Sequence, residues 1–158
     1  MKRLVMIFAM VFCLCGCSSK QTTFTNNDFA LSETNITSKG IMCGSTSEEF
    51  KTAYSNGDIS VGIMYNSDST MQESSIDKID YSKDCRVYLS AISIDDTCMS
   101  TKRFMKEHKI NNGLDDWFSS NNEYLKEHTA IYKCLIFTFS DGEVSNIESY
   151  EKNYNNEK

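Results

Sequence analysis

Alternation of apolar and polar positions predicts the strands of this chain. Strands are predicted at 59–65, 87–94 and 130–139, more weakly at 76–81, and at 144–150 as a closing strand. A period of two directs successive side chains to opposite faces, which is typical of a sheet with a buried face. The polar run 66–75 is predicted to be a turn, and 140–143 is predicted to be the turn of a hairpin.

Capping residues followed by helical spacing predict three helices. The first begins at Ser45 or Thr46, each of which has a Glu three positions on, and it ends at Asn56-Gly57. The second begins at Ser100 or Thr101, and the third at Asp115 or Asp116. Together with the strands, these helices predict an α+β fold, in which helices pack on one face of an antiparallel sheet.

The two halves of the predicted domain resemble each other. Cys43-Gly-Ser-Thr opens the first helix and Cys98-Met-Ser-Thr opens the second. We interpret 28–150 as a single domain with possible duplicated halves 34–95 and 96–150. The alternative is chance similarity between two capped helix starts, because Ser and Thr are frequent at such positions. The polar stretch 151–158 is predicted to be a frayed tail.

The start of the chain has the pattern of an export signal. Positive charge at Lys2 and Arg3 precedes an apolar run over 4–14, which at 1.5 Å per residue is too short to cross a hydrocarbon core of about 30 Å. Leu14-Cys15-Gly16-Cys17 follows and resembles the lipobox of bacterial lipoproteins. The alternative is a buried apolar element in which Cys17 is an ordinary thiol.

The lipobox resemblance implies that Cys17 is the lipidated first residue of the mature protein. It also implies that 1–16 is a signal peptide, cut off after a diacylglycerol has been added to the Cys17 thiol. Cys15 is the weaker acceptor, because Leu14 would then stand where a small residue is expected. The polar stretch 17–27 is predicted to be a flexible tether. These features predict a protein anchored in the lipid bilayer on the extracytoplasmic face of the cell membrane.

Charge narrows the range of partners. The 158 residues contain 16 Lys and Arg against 22 Asp and Glu, a net charge of −6. An acidic chain is poorly suited to bind a phosphate backbone, so no nucleic-acid partner is predicted.

Four of the seven cysteines follow the predicted signal peptide and anchor. They are Cys43, Cys85, Cys98 and Cys134. An even number in an oxidising compartment suggests disulfide bonds, and the similarity of the halves favours Cys43 with Cys85 and Cys98 with Cys134. The alternative is four buried reduced thiols. A zinc site is disfavoured, because no pair has the spacing of two to four residues found in metal knuckles.

Motifs for catalysis are not found in the sequence. It contains two histidines, His108 and His128, and no nucleophile elbow, zinc-protease motif or phosphate loop. The adjacent acids Asp95-Asp96 and Asp115-Asp116 diverge on either a strand or a helix and do not form a general acid and base pair. We therefore predict no catalytic residue, no metal site and no cofactor.

Tyrosines offer a better indication of function. They exceed what a core of this size would bury, and tyrosine covers area at low entropic cost in recognition surfaces. Tyr65, Tyr88 and Tyr132 fall in predicted strands and are our candidates for a binding face. The alternative is that these tyrosines line sheet edges without a partner.

Two short segments carry a further resemblance. The helix start Gly44-Ser45-Thr46-Ser47-Glu48-Glu49-Phe50 and the strand and turn over 135–144 are similar to envelope lipoproteins whose domains resemble the beta-lactamase inhibitor protein. That resemblance implies a helical pair on one face of an antiparallel sheet and a concave sheet face that binds another protein. It assigns no inhibitory role to any residue here.

Two functions from different classes follow as hypotheses. The first is a non-catalytic binding or assembly module for an envelope or extracellular protein. The second is a small cell-envelope hydrolase with His108 or His128 as base. A deep pocket that sets either histidine about 3 Å from a Ser, Cys or carboxylate would favour the enzyme, whereas a tyrosine-rich sheet face with both histidines in the core would favour the binder.

Overall fold

Six strands form one antiparallel sheet, which confirms the predicted α+β class. The computed structural model describes residues 24–156. The strands are β1 Ser60–Tyr65, β2 Asp68–Glu73, β3 Cys85–Ile94, β4 Thr97–Ser100, β5 Ala130–Ser140 and β6 Glu143–Asn153. Their order is β2-β1-β3-β5-β6, and β4 pairs with the second half of β3 on the same side as β1.

Four helices pack on the sheet. They are α1 Ser47–Tyr54, α2 Thr101–Glu107, α3 Leu114–Ser120 and α4 Asn122–Glu127. The capping box predicted for α1 is present, because the Glu49 N–H donates to Thr46 Oγ1 at 3.3 Å and the Thr46 N–H donates to Glu49 Oε2 at 2.7 Å. The third predicted helix is two helices, α3 and α4, that meet at Asn121. Among residues 24–156, no helix has the length and hydropathy needed to cross a membrane.

The helices divide between the two faces of the sheet. On one face, Phe50 of α1 packs edge-on to Phe137 and Phe139 of β5, with ring centroids 4.8 and 5.1 Å apart. On the other face, Phe104 of α2 belongs to a second buried cluster with Ile92 of β3. The helices therefore form two layers, one on each face of the sheet, instead of the single layer that we expected. The reason lies at the end of β3, where consecutive residues from position 91 to 93 are buried and both faces need cover.

Three short elements differ from the predicted pattern. The expected turn 66–75 contains β2, a strand exposed at every position, so its residues do not alternate in hydropathy. The weak strand expected over 76–81 is instead a 3₁₀ turn, Ile76–Lys78, followed by a loop. Its residues Ile76, Ile79 and Tyr81 are buried under α1. Strand β4 has only four residues and was not predicted from the sequence.

The folded domain is longer at both ends than the sequence suggested. Phe24, expected in the tether 17–27, is 3% exposed and stacks on Tyr54 at 6.0 Å between ring centroids. At the other end, β6 continues to Asn153 and Tyr154 is buried, so the expected tail 151–158 begins inside the sheet. The predicted signal peptide 1–16, Cys17 and the tether up to residue 23 lie outside the described residues.

The predicted disulfide bonds are not seen in the described residues. Cys43, Cys85, Cys98 and Cys134 are free thiols. Cys98 lies on β4 and Cys134 on β5, with β3 between them, which at about 4.8 Å per strand spacing separates the two by about 10 Å across the strands, and the register offsets them by a further three residues along the strands. Cys98 lies on the face of the sheet that α1 covers, which we call the α1 face. Cys134 lies on the other face, where it pairs across the strands with Tyr150. Cα atoms more than about 7 Å apart cannot be bridged without backbone movement.

The Cys43 and Cys85 pair is further apart. The segment that follows Cys43 runs beside β6, since the Gly44 N–H donates to the Val144 carbonyl at 2.8 Å. Two strands, β6 and β5, separate it from Cys85 on β3. Three strand spacings of about 4.8 Å place the two cysteines about 14 Å apart. The similarity of the halves is therefore not supported by a shared disulfide.

Candidate functional site

Half of one sheet face has no helix over it. Helices α2, α3 and α4 cover only the part of this face near the ends of β3 and β5 that contain Ile92 and Ala130. We call the uncovered remainder the open face, which comprises Gly62, Met64, Met71, Arg86, Tyr88, Ser90, Tyr132, the buried Cys134, Ile136, Thr138, Glu148 and Tyr150.

The strand register arranges the open face in rows across the sheet. Gly62 lies opposite Tyr88, Tyr88 opposite Ile136, and Ile136 opposite Glu148. Tyr88 and Ile136 are half-buried, while Glu148 is exposed at the edge. The middle of the row is therefore apolar and its rim is charged, a distribution found in protein recognition surfaces.

A groove of about 440 Å³ runs between the open face and the start of α2. Its apolar walls come from Met71, Met105, Tyr88 and Tyr132. Gly62 forms part of the floor, and a Cβ atom there would come within 2.9 Å of the Met71 sulfur. The glycine thus allows Met71, which is 51% exposed, to lie across β1. Methionine side chains adapt to partners of different shape, so they suit a binding surface.

The groove contains hydroxyl groups as well as apolar walls. Ser90 Oγ lies 3.2 Å from Thr101 Oγ1. Burial is the main cause that raises the pKa of the Tyr132 phenol well above its usual range, and neighbouring Cys134 adds to the shift. Tyr132 therefore stays neutral at physiological pH and can donate a hydrogen bond.

A second groove of about 440 Å³ meets the first at Tyr132. It lies between the start of α3 and β6, and its lining includes Asp115, Tyr150 and Lys152. The rings of Tyr132 and Tyr150 are 6.1 Å apart and edge-on. The two grooves form a band along the boundary between helices and open sheet, with tyrosine at its centre.

The structure brings together two of the three tyrosines predicted to form a binding face. Tyr88 and Tyr132 lie on the open face and line the first groove. Tyr65 lies on the α1 face, where its hydroxyl accepts a hydrogen bond from the Asp80 N–H at 3.1 Å. Met71 and Tyr150 belong to the surface but were not among the candidates, because only strand register shows that they are adjacent to it.

Neither histidine lies in the core or lines the two grooves. His108 is exposed and packs against Phe104, with ring centroids 4.4 Å apart. His128 Nδ1 lies 2.6 Å from Asp95 Oδ2. The other Asp95 oxygen accepts a hydrogen bond from the Thr129 N–H at 2.9 Å. The hydrogen bond with His128, followed by that from Thr129, lowers the pKa of Asp95 below its usual range.

Neither a metal-binding cluster nor a pair of acidic side chains forms a further site among residues 24–156. Among residues 24–156, no group of three or more His, Cys, Asp or Glu side chains could hold a metal ion. The acidic pairs are dispersed as well. Asp95 contacts His128, whereas Asp115 accepts a hydrogen bond from the Tyr154 hydroxyl at 2.8 Å. The open face and its grooves thus bring together tyrosine, methionine and hydroxyl side chains at the surface of the described domain.

Comparisons with family models, with curated proteins and with solved structures found no match to this chain. The interpretation of its function therefore depends on the geometry of its own residues.

Proposed function

We propose that this protein is a membrane-anchored extracytoplasmic lipoprotein that acts as a non-catalytic binding or assembly module. Its partner is an envelope or extracellular protein held on the open face. One observation carries the proposal: half of a sheet face is left uncovered by the helices and presents tyrosines and a methionine at partial or full exposure. Exposed apolar area of this kind, rimmed by charge, marks interaction sites.

The binding energy should come from the apolar centre of the face. Tyr88 and Tyr132 are rigid, large side chains of the type that dominate protein interfaces. The charges at the rim set the rate of association more than the affinity. Because the chain is acidic at −6, a basic complementary patch is expected on the partner, and association should slow as ionic strength rises.

The proposal is tested by photo-crosslinking from two matched tyrosine positions. A photoreactive phenylalanine analogue at position 88 should give one discrete crosslinked product in the native membrane. The same analogue at position 65, on the α1 face, should not. Once the partner is purified, Tyr88→Ala should weaken its binding by about 2 kcal/mol, or about 30-fold. Equal crosslinking from both positions, or full affinity in Tyr88→Ala, would contradict the proposal.

Anchoring is the second part of the proposal and rests on the lipobox resemblance. Cys17→Ala should block processing, so that the precursor accumulates. Intact mass should show a mature wild-type chain that begins at an acylated Cys17 and partitions into detergent. An unmodified chain that retains Met1 would overturn the anchoring and leave the open face unaffected.

The contact between His128 and Asp95 favours the hydrolase as a second candidate. A carboxylate that orients a histidine is part of many catalytic sites. Asp95 also accepts a hydrogen bond from the Thr129 N–H, however. Both of its carboxylate oxygens therefore connect the β3–β4 turn to the start of β5. His128→Gln separates the two functions, because it should abolish turnover by a hydrolase and leave partner capture within a few fold for a binding module.

A further inference from the structure

The outer edge of β6 is free over most of its length. β6 is the last strand of the sheet, and among the described residues only its beginning exchanges backbone hydrogen bonds with a segment outside the sheet. There, Val144 exchanges backbone hydrogen bonds of 2.8 and 2.9 Å with Gly44 and Ser45. Residues 29–31 line a pocket together with Ser149, Tyr150 and Glu151 but make no backbone hydrogen bond to them. Within the described part of the chain, no backbone group from outside the sheet donates to or accepts from 146–153. A free edge of this length is a template for another strand.

The exposed part of β6 is complementary to itself in one antiparallel register. A two-fold axis perpendicular to the sheet keeps the open faces of two copies on the same side. When Tyr150 lies opposite Tyr150 of the second copy, Glu148 lies opposite Lys152 on both sides of the axis. Registers centred on Glu148, Glu151 or Lys152 instead set like charges opposite each other. Opposite charges across two strands are favourable and like charges are unfavourable.

We propose that two copies of this chain pair along β6 in that register and join their sheets into one. Tyr150 is 51% exposed, so its ring is available to stack on its counterpart. Tyr132 lies beside Tyr150, and the two open faces then meet through a row of tyrosines. This interaction goes beyond the proposed function, because it needs no other protein.

The two charged side chains of this register also have contacts within their own chain. Glu148 is exposed and accepts a hydrogen bond from Asn146 Nδ2 at 2.7 Å, which leaves its second oxygen for the partner's lysine. Lys152 Nζ lies 3.1 Å from Asp115 Oδ1 and 5.1 Å from the centroid of the Tyr154 ring. The register position of Lys152 opposite Glu148 of the second copy places the two charges across the new strand pair. Two symmetric ion pairs therefore flank the central tyrosines.

The placement of the N-terminal side of the domain fits the same symmetry. Phe24 is buried in the core on the α1 face. A two-fold axis perpendicular to the sheet places the α1 faces of both copies on one side, so both chains enter from that side. Cys17 precedes Phe24 by only seven positions. If the proposed anchoring holds, both copies reach the same membrane with their open faces directed away from it.

Charge exchange tests the register. Sedimentation equilibrium of the full mature chain in detergent should show a monomer–dimer equilibrium at neutral pH. Glu148→Lys and Lys152→Glu should each weaken association by about tenfold or more, because each sets like charges opposite each other twice. The double variant should restore it to within about threefold of wild type. Circular dichroism should show that each variant is folded before its association is measured.

Crosslinking tests the centre of the interface. In a Cys43→Ser background, Tyr150→Cys should give a covalent dimer on mild oxidation. Tyr88→Cys, on the same face but two strands further in, should not. A wild-type chain that stays monomeric at high concentration would overturn the proposal, as would a double variant no better than the single ones. Either result would leave the binding proposal intact.

Discussion

At the scale of single residues, Asp95 connects two parts of the chain that are distant in sequence. It lies in the β3–β4 turn with φ of 47°, in the left-handed region, and its N–H donates to the Thr129 carbonyl at 3.0 Å. Its side chain accepts hydrogen bonds from His128 and from the Thr129 N–H. The turn is therefore fastened to the start of β5 by backbone and side chain together.

The lowered pKa of Asp95 predicts a pH dependence of stability. Because the folded-state pKa lies below the unfolded value, the carboxylate stabilises the fold above about pH 4, and this contribution is lost as pH falls through the folded-state pKa. Asp95→Asn should lower the Tm by a few degrees at pH 7. The Tm of variant and wild type should converge at strongly acidic pH, as measured by thermal unfolding across a pH series.

The adjacent residue supplies the control for this prediction. Asp96 shares the turn and has φ of 65°, and within residues 24–156 its side chain accepts one hydrogen bond, from Asn26 Nδ2 at 3.3 Å. Asparagine tolerates the left-handed region as aspartate does, so Asp96→Asn changes the charge with little backbone strain. It should leave the Tm nearly unchanged. A Tm loss in Asp95→Asn that persists at low pH would show that the carboxylate charge is not responsible.

At the scale of elements, the sequence predicts those whose own pattern determines them. β1, β3 and β5 alternate over most of their length because the face under α1 is buried along them, and α1 begins at a capping box that needs only local contacts. β2 could not be predicted in this way, because each of its residues is exposed and pairing with β1 alone makes it a strand. Short β4 likewise depends on its pairing with the end of β3.

The candidate site, too, could be predicted from the sequence only in part. Tyr88 and Tyr132 could be selected because they occur in clear strands, but the sequence does not specify which strand faces coincide. Tyr65 follows the same alternation and lies on the opposite face, since it pairs with Cys85 of the α1-side core. The cysteine pairing, which the similarity of the halves favours, meets the same limit, because that similarity says nothing about how many strands separate two positions.

At the scale of the whole molecule, two cores share the same two strands. The core under α1 and the core under α2, α3 and α4 lie on opposite faces of β3 and β5. Alternate residues of one strand thus belong to different cores. If β3 and β5 unfold, both cores are therefore exposed to solvent. We therefore expect the domain to unfold as one cooperative unit.

Tyr154 provides the test of this cooperativity. It closes the second core from the end of β6, where its ring stacks on Phe118 with centroids 4.2 Å apart. Its hydroxyl donates to Asp115 Oδ1 at 2.8 Å, and this hydrogen bond is the main cause of the lowered pKa of Asp115. Tyr154→Ala should destabilise the fold by about 3 kcal/mol, as large buried aromatic truncations do. Tyr154→Phe keeps the ring and should cost about 1 kcal/mol.

The decisive measurement is hydrogen exchange in α1, on the opposite face from Tyr154. If the shared strands couple the two cores, the slowest-exchanging amides of α1 should lose protection in Tyr154→Ala by the same free energy as those of β5. Tyr154→Phe should shift both sets by the smaller amount. Unchanged protection in α1, with loss confined to α2, α3 and α4, would show that the two layers unfold independently, and β3 and β5 would then persist with only one face covered.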